Sequence, residues 1–301
     1  MTITSADIRQ FAAALAEEER SPATIQKYCC ALRQFSAWLG EAPLTKHAVA
    51  AWKAALIESG RQPSTVNGKL TALDRWLDFC GRSACKASHL RLQRRAFCDT
   101  SRALSKSDYH RLIATAQARG QKRLALVIET LGATGMRVSE LRHITPTAVH
   151  AGHATISLKG KSRTIFLPAQ LCRKLAKYAR RERIGEGPIF RTKSGRALSR
   201  QQIWAEMKTL CRCAGVNPAC VFPHNLRHLF ARTFYKAARN LAQLADVLGH
   251  TSIETTRLYL RTTSAEHTRL LDRLQLVTGT APATQKRRPR RSAQRTRQHS
   301  P

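Results

Sequence analysis

Apolar residues recur every three to four positions along most of the chain, a spacing that predicts amphipathic helices. Two N-terminal segments show it most clearly. Each opens with a polar residue and a proline, Ser21–Pro22 and Gln62–Pro63, and each stops before a glycine, Gly40 or Gly81. Their apolar positions are Ile25, Tyr28, Leu32, Phe35, Trp38 and Leu39, then Val66, Leu70, Leu73, Trp76, Leu77 and Cys80. With weaker helices at about 4–19 and 45–59, the pattern predicts a four-helix unit.

The rest of the chain adds more helices and one stretch with a period of two. Ala154, Ile156 and Leu158 alternate with polar residues, a turn follows at 159–162, and an extended segment returns to Leu167. This pattern predicts a β-hairpin, and Ile189–Phe190 is a candidate short edge strand. Further helices are predicted from Ser105 through Ile113 and at about 121–132, 169–183, 200–214 and 264–276, with a short one from Met136. The fold class is therefore mainly α with a small β-hairpin.

Candidate chemistry is concentrated in residues 223–260. His224, Arg227 and His228 fall on neighbouring turns of one predicted helix, because residues three and four apart share a helix face. Two imidazoles and a guanidinium can then converge on one anion.

The end of this segment places two more candidate residues. A helix predicted to end at Gly249 leaves His250 at its terminus, and residues 251–254 have the pattern of a capping box that opens a new helix. Tyr259 lies two turns into that helix. A single histidine or tyrosine is ordinarily a packing or surface residue, but this combination indicates a functional site.

The domain boundary is predicted where the apolar period is lost. Residues 91–102 break the period and carry a basic cluster. We expect a helical domain at 1–94, a linker at 95–102, a second domain at 103–277 and a disordered basic tail at 278–301. The last twenty-one residues hold seven Lys or Arg and no acidic residue.

Net charge points to nucleic acid as the partner. The chain has 52 Lys plus Arg against 19 Asp plus Glu, a net charge of +33. An anionic membrane surface is the rival, but the sequence has neither a basic amphipathic helix nor a lipidation motif, and no apolar run approaches the ~20 residues of a membrane span. The N-terminus lacks the basic-then-apolar order of a secretory signal. We expect a cytoplasmic, nucleoid-associated protein that does not bind membranes.

The nine cysteines do not predict a metal site. They include no paired C-x-x-C spacing, and Cys211 and Cys213 lack a matching second pair. Reduced, mostly buried thiols are the expectation for a cytosolic chain.

Four motifs, TGMRVSEL, KGKSRTIFLP, HNLRH and LGHTSIETTRLYL, resemble the tyrosine recombinases of the phage-integrase and Xer type in sequence and order. The resemblance covers about 105–276 closely. It covers the N-terminal domain only as a small helical bundle of suitable length. It implies a DNA-clamping core-binding domain at 1–94 and a mixed α+β catalytic domain at 103–277.

The resemblance also implies roles for individual residues. The catalytic set is Arg137, Lys159, His224, Arg227, His250 and Tyr259, supported by Glu140 and His228. The hairpin turn is one residue shorter than the family's usual pattern, so Lys159 is the first choice and Lys161 the alternative. Candidate DNA-binding residues are Arg94, Arg95, Lys161 and Arg163. Between Arg227 and His250, where the family often carries a glycine, this chain has Ala238, Arg239 and Asn240, and Asn240 can cap the next helix.

The chemistry of these groups fits strand cleavage. A phosphodiester attacked by an oxygen gains negative charge in its pentavalent state, which two guanidiniums, those of Arg137 and Arg227, can bind. Tyr259 is the nucleophile, His224 the better base and His250 a hydrogen-bond donor to the phosphate. The hairpin lysine donates a proton to the departing 5′-oxygen. The 3′-phosphotyrosyl link stores the bond energy, so no cofactor is expected.

The predicted function is site-specific DNA recombination, for integration, excision or resolution of a mobile element. The expected partner is double-stranded DNA, bound by a homotetramer in a synapse, with an accessory DNA-bending protein as a further candidate. Two alternatives stay open at this point. One is a type IB topoisomerase-like enzyme that relaxes DNA, and the other is a non-catalytic architectural DNA-binding protein. A covalent protein–DNA trap separates catalysis from binding alone.

Overall fold

The structure is a computed structural model that describes residues 3–92, 103–158, 161–250, 252–260, 268 and 271–274. Contacts between Cα atoms divide the chain into two compact units, Met1–Arg95 and Ala96–Pro301. The predicted linker, the basic tail and most of the helix predicted at 264–276 lie outside the described residues.

The first unit is a bundle of four helices: α1 (Ser5–Glu17), α2 (Pro22–Leu39), α3 (Lys46–Glu58) and α4 (Pro63–Phe79). Polar caps explain three of the starts, because the side chains of Thr4, Ser21 and Thr45 each accept a hydrogen bond from the backbone N–H three residues later. The apolar faces meet in one core that buries Trp76, Phe35 and Trp52. This is the helical unit that the apolar spacing predicted.

The second unit surrounds helix α6 (Lys122–Thr134), whose apolar residues extend around most of its circumference. Four helices pack against it: α5 (Lys106–Ala118), α8 (Ala169–Arg181), α9 (Arg200–Ala214) and α10 (Pro223–Ala238). The other helices are α7 (Pro146–Ala151), α11 (Leu241–Leu248) and α12 (Ile253–Arg257), with 3-10 turns at Val138–His143, Pro218–Cys220 and Leu258–Leu260. The central helix therefore ends next to the segment that carries the candidate chemistry.

The β-hairpin forms as predicted, but its second strand begins earlier than predicted. Strand β1 (His153–Leu158) pairs antiparallel with β2 (Lys161–Phe166), and His153 faces Phe166 at the open end. Ile156 and Ile165 point into the core and account for the period of two. Lys161 and Ser162, predicted in the turn, are the first residues of β2, because the ladder continues until Leu158 pairs with Lys161.

The prediction of an edge strand at Ile189–Phe190 is wrong. Both side chains are buried in the core of the unit, and the Ile189 N–H donates a hydrogen bond to the Ile144 carbonyl over 2.8 Å. A single antiparallel bridge joins Arg191 to Ala197 nearby. The apolar pair anchors a loop, and a short apolar run does not distinguish a loop anchor from a strand.

Candidate active site

Helix α10 presents three of the candidate residues on one face. It begins with Pro223 in its first turn, where a missing N–H costs no hydrogen bond. The rings of His224 and His228 meet edge to face with centroids 4.7 Å apart, and Arg227 lies between them in sequence. The two imidazoles predicted to share a helix face are therefore in contact in the structure.

The guanidinium of Arg227 is buried and held by backbone carbonyls. Its side chain is among the largest that are almost fully buried, with 2% of the residue exposed. Nη1 donates to the Gly135 carbonyl over 2.6 Å, and Nη2 donates to the Leu248 carbonyl over 2.7 Å. These carbonyls end α6 and α11, where the helix dipole is negative, so two helix termini stabilise the cation.

One donor of this guanidinium is left over. Nε of Arg227 is buried and has no hydrogen-bond partner within the described part of the chain. An unpaired buried donor costs free energy unless a ligand uses it.

Gly135, whose carbonyl accepts from Arg227, needs to be a glycine. It lies in the left-handed region at φ 63°, and a Cβ there would come 2.8 Å from Cγ of Phe230.

Tyr259 lies at the centre of the cationic and imidazole groups. Its ring centroid is 4.3 Å from that of His228, 5.2 Å from that of His250 and 5.5 Å from that of His224. The guanidinium carbon of Arg227 is 5.9 Å from the same centroid. The residue is 7% exposed and packs with Leu248 and its neighbours in a small apolar cluster. The candidate nucleophile is therefore sheltered in this structure.

The segment that carries Tyr259 differs from its prediction in two ways. Helix α12 has Ser252 as its N-cap residue, without a side-chain cap hydrogen bond, and Thr251 of the predicted capping box lies outside the described residues. The helix then tightens into a 3-10 turn at Leu258–Leu260, so Tyr259 lies after α12. The upstream prediction for Asn240 is confirmed: its side chain accepts from the Gln243 N–H over 3.0 Å and caps α11.

His250 lies within hydrogen-bond distance of both Arg227 and helix α12, which precedes Tyr259. Its Nε2 lies 2.8 Å from Nη2 of Arg227, and its Nδ1 lies 2.8 Å from Oγ1 of Thr256. Thr256 is fully buried. Sequence reasoning missed this threonine, because its position six residues after the histidine carries no pattern that distinguishes it from Thr255.

A second cluster forms around the carboxylate of Glu140. Arg137 follows the left-handed Gly135 and caps the 3-10 turn, where its backbone N–H donates to Oε2 of Glu140 over 2.7 Å. The other oxygen, Oε1, accepts from Nη1 of Arg137 at 3.1 Å and from Nη1 of Arg163 at 3.3 Å. One buried carboxylate is therefore shared between two guanidiniums.

Arg163 points into the protein. Its side chain is 14% exposed, and Nη2 donates to the Val247 carbonyl over 3.0 Å. Arg137, by contrast, keeps 47% of its side chain exposed. The two arginines share a counter-ion, but only Arg137 is open to a ligand.

The site lowers the pKa of its bases. Burial first, and then the positive charge of neighbouring groups, lowers the pKa of both His228 and His250 to about 4. His224 is an exposed residue, but partial desolvation and the nearby Arg227 charge also lower its pKa. Burial outweighs the Glu140 charge and lowers the pKa of Arg163 to about 10. The histidines are therefore neutral at physiological pH, and Arg163 remains charged.

A cleft of about 370 Å³ opens onto part of this site. Its lining includes Arg137, His224 and Arg227, together with Arg200 and Trp204 from α9. Sequence reasoning did not select the last two residues, because each looks like an ordinary residue of an amphipathic helix. Three arginines, Arg137, Arg200 and Arg227, line this cleft, and no acidic residue is among its described lining residues, which suits an anionic ligand.

Some site predictions fall outside what the structure describes. Lys159, Arg94 and Arg95 are not among the described residues. Lys161 is described only through its backbone, which pairs with Leu158 at the closed end of the hairpin. The choice between the two hairpin lysines stays a prediction. In the described residues, no group of three or more His, Cys, Asp or Glu side chains could hold a metal ion.

Comparison with known families decides the class of protein. The model of the phage integrase family matches residues 102–266, a range that contains all the candidate catalytic residues. This chain belongs to the phage integrase family. A second model, of the phage integrase N-terminal SAM-like domain, matches residues 8–83. The resemblance to tyrosine recombinases, enzymes that cut and rejoin DNA strands, is thereby confirmed.

Individual relatives agree with this assignment. Tyrosine recombinase XerD of Xanthomonas axonopodis pv. citri (strain 306) is 34% identical over 148 residues, which cover 44% of this chain and 48% of XerD. Tyrosine recombinase XerA of Pyrococcus furiosus is 28% identical over 283 residues, which cover 92% of this chain and 96% of XerA. The similarity to XerD thus spans about half of that protein, and the similarity to XerA spans nearly all of it.

Solved structures share the fold of this tyrosine recombinase. The XerH site-specific recombinase bound to its difH substrate superposes with a TM-score of 0.67 at 18% identity, over 92% of this chain and 85% of that one. A lambda integrase tetramer bound to a Holliday junction superposes with a TM-score of 0.67 at 19% identity, over 84% of this chain and 76% of the integrase chain. The predicted fold class, mainly α with a small two-stranded sheet, is confirmed. Among the described residues, no helix is long and apolar enough to cross a membrane.

Proposed function

We propose that this tyrosine recombinase cuts and rejoins DNA at a specific site, with Tyr259 as the nucleophile and a 3′-phosphotyrosyl intermediate. The observation that carries the proposal is the position of Tyr259, whose ring lies within 6 Å of Arg227 and of three histidines. A phenol is a weak nucleophile while protonated, and adjacent cations and bases activate it.

The arginines supply the site for the phosphate. Arg137, Arg163 and Arg227 are balanced by one carboxylate, that of Glu140, so the site carries excess positive charge. Arg137 is exposed enough to bind a non-bridging oxygen, and Nε of Arg227 is the unpaired donor beside it. Two guanidiniums fixed before the reaction stabilise the pentavalent state without the cost of reorganising solvent.

The proton transfers are assigned to two groups. His224 is the base for the Tyr259 hydroxyl, since its lowered pKa keeps the ring neutral and able to accept a proton at physiological pH. A lysine of the hairpin, Lys159 or else Lys161, is the acid for the departing 5′-oxygen. Each atom is then accounted for: the new P–O bond to tyrosine replaces the P–O bond to the 5′-oxygen, and one proton moves at each end.

The same proposal covers the assembly and the biological role. Residues 1–94 are the core-binding domain and 103–277 the catalytic domain, and together they bind double-stranded DNA. The fold is shared with a lambda integrase seen as a tetramer on a Holliday junction, and this supports a homotetramer on two synapsed sites. We propose integration, excision or resolution of a mobile element in the cytoplasm, at the nucleoid, with an accessory DNA-bending protein as a further partner.

The test is capture of a covalent protein–DNA adduct. Wild-type protein, Tyr259→Phe and Tyr178→Phe are incubated with sheared DNA from the source genome, and protein-linked fragments are collected under denaturing conditions and sequenced. Tyr178 is a matched control, since it is also 9% exposed or less but lies on α8 in the core of the same unit. We expect adducts at a defined sequence with wild type and Tyr178→Phe, and none with Tyr259→Phe.

The form of the adduct separates the remaining explanations. Label on the DNA strand 5′ to the break should stay with the protein, because a 3′-phosphotyrosyl link retains that strand. Specific DNA binding without any adduct would refute catalysis and favour an architectural protein. Adducts at many unrelated sequences, with relaxation of any supercoiled plasmid, would refute site specificity and favour a type IB topoisomerase-like activity.

A further inference from the structure

The hydroxyl of Thr256 lies beside the proposed site, within hydrogen-bond distance of His250. The residue is fully buried on α12, and its Oγ1 lies 2.8 Å from Nδ1 of His250. The other ring nitrogen, Nε2, lies 2.8 Å from Nη2 of Arg227. The imidazole is therefore held from both sides, by a guanidinium and by a hydroxyl.

These contacts decide which tautomer the histidine adopts. A guanidinium has donors only, so Nε2 of His250 must accept the hydrogen bond from Arg227. In a neutral ring the proton then lies on Nδ1 and is donated to Oγ1 of Thr256. Burial and the surrounding cations lower the pKa of this ring to about 4, so the neutral form applies at physiological pH.

In this tautomer His250 cannot act as a donor to a phosphate, because Nε2 has no proton. A small shift of Nη2 of Arg227 towards a bound phosphate, with the Gly135 and Leu248 hydrogen bonds kept, frees Nε2. Water can then take up the proton from Nδ1 and give one to Nε2, so that the ring changes tautomer with no change in its charge. Nδ1 now needs a donor, and a hydroxyl supplies one because it both accepts and donates. A carbonyl in the same place could serve only the first tautomer.

We propose that Thr256 is a positioning residue that satisfies both tautomers of His250, accepting from Nδ1–H in the free enzyme and donating to Nδ1 when Nε2–H faces the phosphate. This inference rests on the proposed function of the site. Thr256 lies three residues before Tyr259 in the same helical segment, so the hydrogen bond also ties the orientation of the ring to the position of the nucleophile.

The first test needs no DNA. Nitrogen-15 spectra of histidine in the full-length protein distinguish protonated from unprotonated ring nitrogens, and His250→Gln identifies the signals of this residue. We expect wild type to show a protonated Nδ1 and an unprotonated Nε2. A protonated Nε2 in the free wild-type protein would overturn the assignment, because Arg227 and a protonated Nε2 cannot both be donors across 2.8 Å.

The second test compares cleavage rates. The substrate is a nicked duplex made from a fragment captured by wild type. Thr256→Val keeps the shape but loses the hydroxyl, and we expect adduct formation to slow by about 10- to 100-fold with DNA affinity unchanged. Thr256→Ser keeps the hydroxyl and should retain most of the rate. Thr130→Val is the matched control, since Thr130 is also fully buried with its hydroxyl bonded to the Leu126 carbonyl, away from the site.

A double mutant distinguishes positioning from a structural effect. If Thr256 acts through His250, adding Thr256→Val to His250→Gln should slow cleavage no further. Additive losses, or a Thr256→Val enzyme as fast as Thr130→Val, would refute the proposal. Absence of any wild-type adduct would count against the proposed function instead, and the nitrogen-15 spectra would still decide the tautomer.

Discussion

A single methyl group added at Gly249 should strongly perturb the site. It ends α11 in the left-handed region at φ 63°, directly before His250. A Cβ at this position would come 2.8 Å from Nε of Arg163 and closer still to Cδ of that side chain. Arg163 has little freedom to move, because Glu140 and the Val247 carbonyl hold its guanidinium.

The expected cost of Gly249→Ala has two parts. An alanine in the left-handed region costs about 1 to 2 kcal/mol, and displacing a packed side chain costs about 1 to 3 kcal/mol. The sum is a loss of roughly 2 to 5 kcal/mol in the free energy of unfolding. Gly215 provides the matched control: it ends α9 at φ 59°, and the nearest atom to a Cβ there is Nη1 of Arg111 at 4.0 Å. Gly215→Ala should therefore show only the cost of the left-handed backbone, about 1 to 2 kcal/mol.

The measurement is urea unfolding of the full-length variants. The transition that is monitored is that of the second unit, which contains both glycines. We expect Gly249→Ala to lose about 1 to 3 kcal/mol more than Gly215→Ala, the part that comes from packing. Equal losses for the two variants would refute the reasoning, because they would mean that Arg163 moves aside without cost.

Three further predictions concern the same unit. Arg239→Gly should raise the free energy of unfolding by about 0.5 to 1 kcal/mol in urea, because Arg239 ends α10 at φ 53°, where glycine has no steric penalty. Glu140→Gln should lower it by about 3 kcal/mol in the same assay, since the buried guanidinium of Arg163 loses its counter-ion. The folded-state pKa values of His228 and His250 lie near 4, below the unfolded value of about 6.5. Between about pH 4 and pH 6.5 the unfolded chain therefore binds more protons than the folded chain. Stability should therefore fall as pH drops from about 6.5 to 4, and a urea midpoint that stays constant over this window would contradict the two pKa shifts.

Much of the architecture could be predicted from local patterns. Helix starts at Ser21, Ser105 and Ser199 follow from a polar cap and the apolar period behind it, and the structure has a side-chain cap at each. The hairpin follows from its alternation of Ala154 and Ile156 with polar neighbours. These signals are encoded within a few consecutive residues, so they survive without knowledge of the rest of the fold.

The arrangement of the site was decided by tertiary structure. The motifs predicted that Arg227 and Tyr259 belong to one site, but not that carbonyls at the ends of α6 and α11 would hold the guanidinium. Nor did they indicate that Arg163 would point inward to Glu140, or that Thr256 would bind His250. The pairs that meet here are as much as 92 residues apart in sequence. Local propensity carries no information about such contacts, because burial and hydrogen bonding between distant segments are settled only when the helices pack.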